Sequence, residues 1–93
     1  MKTISILGKE YTIKRFENDI HHMLDFGYVL YKESEIGISE QISQDHANET
    51  LLHEAIHVIN HYMSLELDES GVTALSACLY AFLKDNGVNM DIV

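Results

Sequence analysis

The sequence is poor in cysteine and in positive charge, and it contains no proline and no long apolar run. One cysteine, Cys78, excludes an internal disulfide framework and is typical of a reducing compartment. Lys and Arg number 6 against 15 Asp and Glu, which gives a formal charge of −9. Because binding to phosphates needs a basic stripe, we expect no nucleic acid and no anionic membrane surface among the partners. Without a transmembrane run or signal peptide, the expected location is cytoplasmic.

The remaining composition is that of one small globular domain. The chain has 93 residues, of which 46% are apolar and 23% are charged, and we interpret 1–93 as a single domain. A domain of this length buries only about 60–65% of the surface that its unfolded chain exposes. Its stability is therefore limited, and a bound metal ion would add to it.

The first third of the chain has the alternation of strands. Apolar and polar residues alternate on both sides of Gly8, which is typical of a hairpin, and a second strand pair is predicted at 28–31 and 35–39. The segment 17–26 between the two pairs fits either a loop or a short helix. We expect 35–39 to form a sheet edge that could align an extended peptide by strand addition.

The second half has the spacing of two amphipathic helices. Apolar residues recur at helical intervals over 52–63, with Ser43 or Asp45 as the expected N-cap, and again over 72–83, with Asp68 near the start. The second helix must fold back against the first to bury Val72 and Leu75. Strands first and helices second predict an α+β fold, with a small antiparallel or mixed sheet packed on two antiparallel helices.

A metal-binding motif lies inside the first helix. The segment His53-Glu54-Ala55-Ile56-His57 places two imidazoles one helical turn apart, about 40° from each other around the axis, so both can reach one ion. Glu54, about 100° away from His53, can reach a metal-bound water without being a ligand. With 6 His and 9 Glu in 93 positions, random placement gives about 0.04 such motifs. The motif therefore predicts a zinc site with Glu54 as general base for peptide hydrolysis.

A catalytic zinc site needs a third protein ligand, and several acids follow the first helix. Three ligands on one straight helix would span too great a distance, so we interpret His61 as a rim residue. The candidates are Glu66, Asp68 and Glu69. Glu69 lies one turn before Val72 and is the preferred ligand, whereas Asp68 suits a helix cap and Glu66 a solvated turn.

The stretch from "GYVLYKESEIGIS" through "TLLHEAIH" to "LDESGVTALSACLYAFLKDN" resembles the small zincin-like metallopeptidases of phages and prophages, the minigluzincin size class. The resemblance covers roughly 27–87. It implies His53, His57 and Glu69 as zinc ligands, Glu54 as general base, peptides or proteins as substrates, and the cytoplasm of a bacterial host as location. A zinc-stabilised binding or regulatory module without peptidase activity is the alternative.

This sequence departs from the gluzincin pattern at Thr73, where those enzymes carry an acid that hydrogen-bonds a ligand histidine. Loss of such an acid typically costs 10–100-fold in metal affinity or activity. The other polar residues are interpreted as structural: Tyr62 and Tyr80, which could otherwise stabilise an oxyanion, and Cys78 in the core. The remaining histidines are expected in a loop or near the start of the first helix: His21, His22 and His46.

Overall fold

Four strands followed by two helices make up the computed structural model, which describes residues 2–17, 26–89 and 93. The elements are β1 (Lys2–Ile6), β2 (Lys9–Phe16), β3 (Gly27–Leu30), β4 (Glu35–Ser39), α1 (Gln44–Met63) and α2 (Glu69–Asp85). This order confirms the predicted α+β class. Most of the segment 17–26, including His21 and His22, lies outside the described residues. No helix in the described ranges is long and apolar enough to cross a membrane.

The four strands form one mixed sheet in the order β1-β2-β4-β3. The pairs β1–β2 and β3–β4 are antiparallel, as the two hairpin patterns predict, and β2 pairs with β4 in parallel. The first hairpin turns at Leu7 and Gly8, which both have positive φ, 54° and 76°. Two such residues in succession give the backbone twist that suits a two-residue hairpin loop.

The expectation that 35–39 forms a sheet edge is wrong. β4 lies between β2 and β3, and its two isoleucines, Ile36 and Ile38, are completely buried. At Gly37 an added Cβ would lie 1.9 Å from a ring carbon of Tyr28, so this aromatic ring covers the other face of the strand. Both faces of β4 are covered, and an interior position in the sheet buries its backbone as well. The ends of the described sheet are β1 and β3.

Helix α1 packs across the sheet and provides most of the helical part of the core. Its N-cap is Ser43, whose side chain accepts a hydrogen bond from the backbone N–H of His46 at 3.2 Å, as expected for one of the two cap candidates. All but one of the completely buried apolar residues of the described chain come from the sheet and from this helix, the exception being Val72 of α2: Tyr11, Ile36, Ile38, Ala47, Leu51 and Val58. The HExxH motif therefore sits on the helix that the core holds most firmly.

A side-chain clamp from α1 fixes the connection between the two helices. The Asn60 side chain donates to the carbonyl of Leu67 at 3.0 Å and accepts from the N–H of the same residue at 3.1 Å. Asp68 then caps α2 by accepting from the N–H of Gly71 at 2.7 Å. These contacts set the point at which α2 begins and turn the chain back along α1.

Helix α2 packs on α1 by one side, and no described strand contacts it. Val72 is buried as expected, but Leu75 is 46% exposed and Cys78 is also exposed, so the expected burial of these two is wrong. Tyr62 is likewise exposed rather than part of the core, and Tyr80 is partly exposed, with its hydroxyl donating to Asp45 at 2.8 Å. The apolar spacing of α2 predicts a helix correctly but not a second core face.

Candidate metal centre

The two histidines of the HExxH motif point their Nε2 atoms at each other. The Nε2 atoms of His53 and His57 are 3.1 Å apart, and both rings are largely shielded from solvent. A separation of four residues places them on the same face of α1, one turn apart. The helix thus converts the sequence spacing into two convergent nitrogen donors.

The carboxylate of Glu69 completes a cluster of three donors. Its Oε1 lies 2.9 Å from Nε2 of His53 and its Oε2 lies 3.0 Å from Nε2 of His57. Glu69 is the first residue of α2, directly after the cap, and its side chain is 67% exposed. Of the other two candidates, Asp68 caps the helix and Glu66 is exposed in the connecting turn. The cluster of His53, His57 and Glu69 is the only such group found among the described residues.

These three side chains fit a divalent cation. Around a tetrahedral zinc with bonds of 2.0–2.2 Å, neighbouring donor atoms lie about 3.3–3.5 Å apart, a few tenths of an ångström more than here. Two imidazole nitrogens and one carboxylate oxygen match the preference of zinc for borderline donors. Because the Glu69 side chain is 67% exposed, a cation held by these residues would be accessible to water from that side.

Glu54 is placed beside this cluster rather than within it. The residue is 8% exposed, and its carboxyl has no hydrogen bond to another described residue. Burial, together with the negative charge of Glu69, raises the pKa of the Glu54 carboxyl to about 7. A cation held by the cluster would offset that second effect and favour the ionised carboxylate. Glu54 is therefore suited to exchange a proton near neutral pH.

The edge strand β3 passes directly over Glu54 because of a glycine. A Cβ at Gly27 would lie 2.7 Å from Cγ2 of Thr50 and 3.0 Å from Oε2 of Glu54. Only a residue without a side chain allows β3 to approach α1 this closely. The strand that borders the site is thus β3, in place of the expected 35–39.

A hydroxyl from α2 approaches the far side of one ligand ring. The Ser76 Oγ lies 3.4 Å from Nδ1 of His53 and also donates to the carbonyl of Thr73 at 3.1 Å. Ser76 is almost completely buried, whereas Thr73 is exposed. The hydroxyl that approaches Nδ1 is therefore that of a serine two turns after Glu69, not that of the threonine one turn after it. Its orienting effect is weaker than that of a carboxylate.

A cavity of about 330 Å³ opens next to the cluster. Its walls include His53, Glu54 and Glu69 from the cluster region, and His46 and Glu49 from the first turns of α1. His46 lies near the start of α1, as expected, and there it borders the site. His61 lies elsewhere, stacked on Tyr31 with ring centroids 4.2 Å apart, and does not join the cluster.

Three contributors to the site were missed by sequence reasoning: Gly27, Asn60 and Ser76. Ser76 follows Glu69 by seven residues, a spacing that places both on one side of α2 and could have drawn attention to it. Nothing local distinguishes Gly27 from other glycines or Asn60 from other polar residues of α1. Gly27 acts through its close approach to Thr50 and Glu54, far away in the sequence, and Asn60 acts through Leu67 beyond the end of its helix.

No protein-family model, curated protein or solved structure matches this chain. The site is consequently defined by its own geometry: two imidazole nitrogens and a carboxylate within hydrogen-bond distance of one another, with a second, buried carboxylate alongside.

Proposed function

We propose that the protein is a zinc-dependent peptidase in which His53, His57 and Glu69 hold the metal and Glu54 is the general base. The observation that carries this proposal is the convergence of two imidazole nitrogens and the two oxygens of one carboxylate, with contacts of 2.9–3.1 Å, beside a second carboxylate that is nine-tenths buried. Donors of this type, with an open position and an adjacent acid, are the parts of a hydrolytic zinc site.

The chain supplies binding and proton transfer in this proposal. When bound, zinc acts as a Lewis acid that polarises a carbonyl and lowers the pKa of a water ligand. Glu54 takes a proton from the attacking water and gives it to the leaving amine of the peptide. Gly27 leaves the space in which Glu54 lies against β3, and Ser76 restrains the ring of His53. The substrate class is a peptide or protein.

The resemblance to small phage and prophage zincin-like metallopeptidases supports the same proposal. That resemblance implies His53, His57 and Glu69 as ligands and Glu54 as base, the same four side chains that lie together at this site. The single cysteine agrees with a reducing compartment, and we accordingly place the protein in the cytoplasm of a bacterial host.

The first test is metal content. Purified protein, refolded with zinc, should hold about one zinc per chain by elemental analysis, and Glu69→Ala should lose most of it. Glu66→Ala is the matched control, because it removes an acid from the same turn that lies outside the cluster. Zinc retention in Glu69→Ala equal to that in Glu66→Ala would remove Glu69 from the ligand set.

The second test is hydrolysis of a quenched-fluorescence peptide library with and without chelator. Glu54→Gln should retain zinc and lose roughly 10²–10⁴-fold in rate, the usual contribution of a general base. Glu33→Gln, which removes the same charge from the exposed β3–β4 turn, should retain the wild-type rate. A Glu54→Gln variant as fast as wild type would show that the hydrolysis comes from another source.

One observation favours the alternative of a zinc-stabilised binding module. The ring of His53 faces a serine hydroxyl at 3.4 Å rather than a carboxylate, which leaves the ligand less firmly oriented than in an enzyme with an acid at that place. In this alternative zinc raises the free energy of unfolding, and no peptide is cleaved. Stoichiometric zinc without hydrolysis of any peptide in the library would favour the module over the peptidase.

A further inference from the structure

The cavity beside the cluster contains a carboxylate that the proposed hydrolysis does not use. Glu49 lies on α1 four residues before His53, is half-buried, and forms part of the cavity wall. Its carboxylate has no hydrogen-bond or ion-pair partner within residues 2–17, 26–89 and 93. It also lies outside the three-donor cluster, so it is not a fourth ligand in this arrangement.

The charges around this cavity are unbalanced towards negative. No Lys or Arg of the described residues contributes to its wall, which includes Glu49, Glu54 and Glu69. The carboxylate of Glu49 faces this space without an opposite charge from the described part of the chain. A nine-tenths buried Glu54 without a described hydrogen-bond partner faces the same space. A ligand with one positive charge would complete the balance.

The shape and lining of the cavity suit a long cationic side chain. Glu49 is four residues from His53, about 6 Å along the helix axis, which is close to the length of an extended lysine side chain. At the mouth, the rings of Phe26 and His46 lie 4.5 Å apart between centroids, and Phe26 is partly exposed. An aliphatic stem can pack on such a ring while its charged end reaches further in.

We propose that this cavity is a specificity pocket for a Lys or Arg side chain of a peptide held at the metal centre, with Glu49 accepting the charged end. This inference rests on the proposed function, since the metal centre holds the peptide backbone. The overall charge of −9 acts in the same direction, because it attracts basic peptides over a longer range.

The test compares two zinc-binding probes that differ only in the terminal ammonium group of the side chain, N-acetyl-lysine hydroxamate and N-acetyl-norleucine hydroxamate. Their dissociation constants are measured by calorimetry on zinc-loaded protein, after elemental analysis has established the zinc content. We expect the lysine compound to bind wild type about tenfold more tightly, because a charge-assisted hydrogen bond to a partly shielded carboxylate replaces a neutral contact. In Glu49→Gln the two compounds should bind with nearly equal affinity.

Two further variants separate the local contact from long-range charge. Glu33→Gln removes one negative charge outside the cavity wall and should leave the tenfold ratio unchanged. Glu49→Asp keeps the charge on a shorter side chain and should retain part of the preference.

Equal binding of the two probes to zinc-loaded wild type, no binding of either, or an unchanged ratio in Glu49→Gln would overturn the pocket while leaving the peptidase proposal standing. A protein that binds no zinc would overturn the proposed function itself, and the inference with it. The elemental analysis thus tells the two failures apart.

Discussion

The two helices contribute to one site but are held in the fold very differently. Helix α1 lies between the sheet and α2, and its residues Ala47, Leu51 and Val58 are completely buried. Helix α2 contacts α1 alone among the described elements, and Leu75 and Phe82 on its surface are 46% and 63% exposed. The histidine pair therefore lies on a helix anchored in the core, whereas Glu69 belongs to a helix docked by one side.

This difference separates the rigid part of the site from the part that a metal ion would fix. The imidazoles are positioned by packing before any ion binds. The position of Glu69 depends on the Asn60 clamp, on the Asp68 cap and on burial of Val72 and Ser76. A cation held by both helices would add a link between them.

The largest expected effect is the contrast between equal substitutions in the two helices. Leu51→Ala removes a completely buried side chain from α1 and should lower the free energy of unfolding by about 3–4 kcal/mol. Leu75→Ala makes the same change on the exposed side of α2 and should cost less than about 1 kcal/mol. Urea unfolding of both variants checks the comparison. Similar losses in the two would mean that Leu75 is covered in solution.

The buried acid of α1 should make the metal-free protein sensitive to pH. Burial raises the pKa of Glu54 from 4.5 to about 7, so the folded state binds the proton more tightly than the unfolded state does. The resulting stabilisation is complete below pH 4.5 and is lost as pH rises through 7, by up to about 3 kcal/mol. Unfolding is measured in chelator at pH 4.5 and pH 8, for wild type and Glu54→Gln. The difference in free energy of unfolding between wild type and Glu54→Gln should change by about 3 kcal/mol between the two pH values. A difference that stays constant would contradict the prediction.

Substitutions of two glycines test the same comparison, because Gly27 of β3 packs against α1 and Gly71 lies within α2. Gly27→Ala brings a Cβ within 2.7 Å of Thr50 Cγ2 and 3.0 Å of Glu54 Oε2, and should cost about 1–3 kcal/mol through overpacking. Gly71→Ala, in the first turn of α2, meets its nearest atom at 3.2 Å and should be neutral or stabilising by up to about 1 kcal/mol, since alanine favours helix. Thermal unfolding measures both. If Gly27→Ala were as stable as wild type, β3 would be free to move away from α1.

The smallest expected effect concerns the hydroxyl that α2 places against a ligand ring. Ser76→Ala should weaken zinc binding by about tenfold, the lower end of the range for a group that orients a ligand. Thr73→Ala removes an exposed hydroxyl one turn earlier and should leave zinc affinity unchanged. Competition with a chromophoric chelator gives both affinities. A larger loss of zinc affinity in Thr73→Ala than in Ser76→Ala would show that residue 73, the position expected from the gluzincin pattern, is the one that orients the ligand.

Sequence patterns predicted the strands and helices of this fold well, but they did not predict which of these elements lie next to one another. Both hairpins, both helices, and the caps at Ser43 and Asp68 follow from spacing over a few residues. Spacing did not predict the interior position of β4 or the exposure of Leu75 and Cys78. Alternation and helical periodicity do not specify which element covers an apolar face. For the same reason the edge beside the site was assigned to 35–39 instead of β3.

The same distinction between local spacing and tertiary packing applies to the site. The chain itself determined that His53 and His57 share a face with Glu54 nearby, since four residues on a helix make one turn. Tertiary structure decided which acid joins them, which glycine admits Glu54, and which hydroxyl approaches His53, because those contacts join residues that only packing brings together.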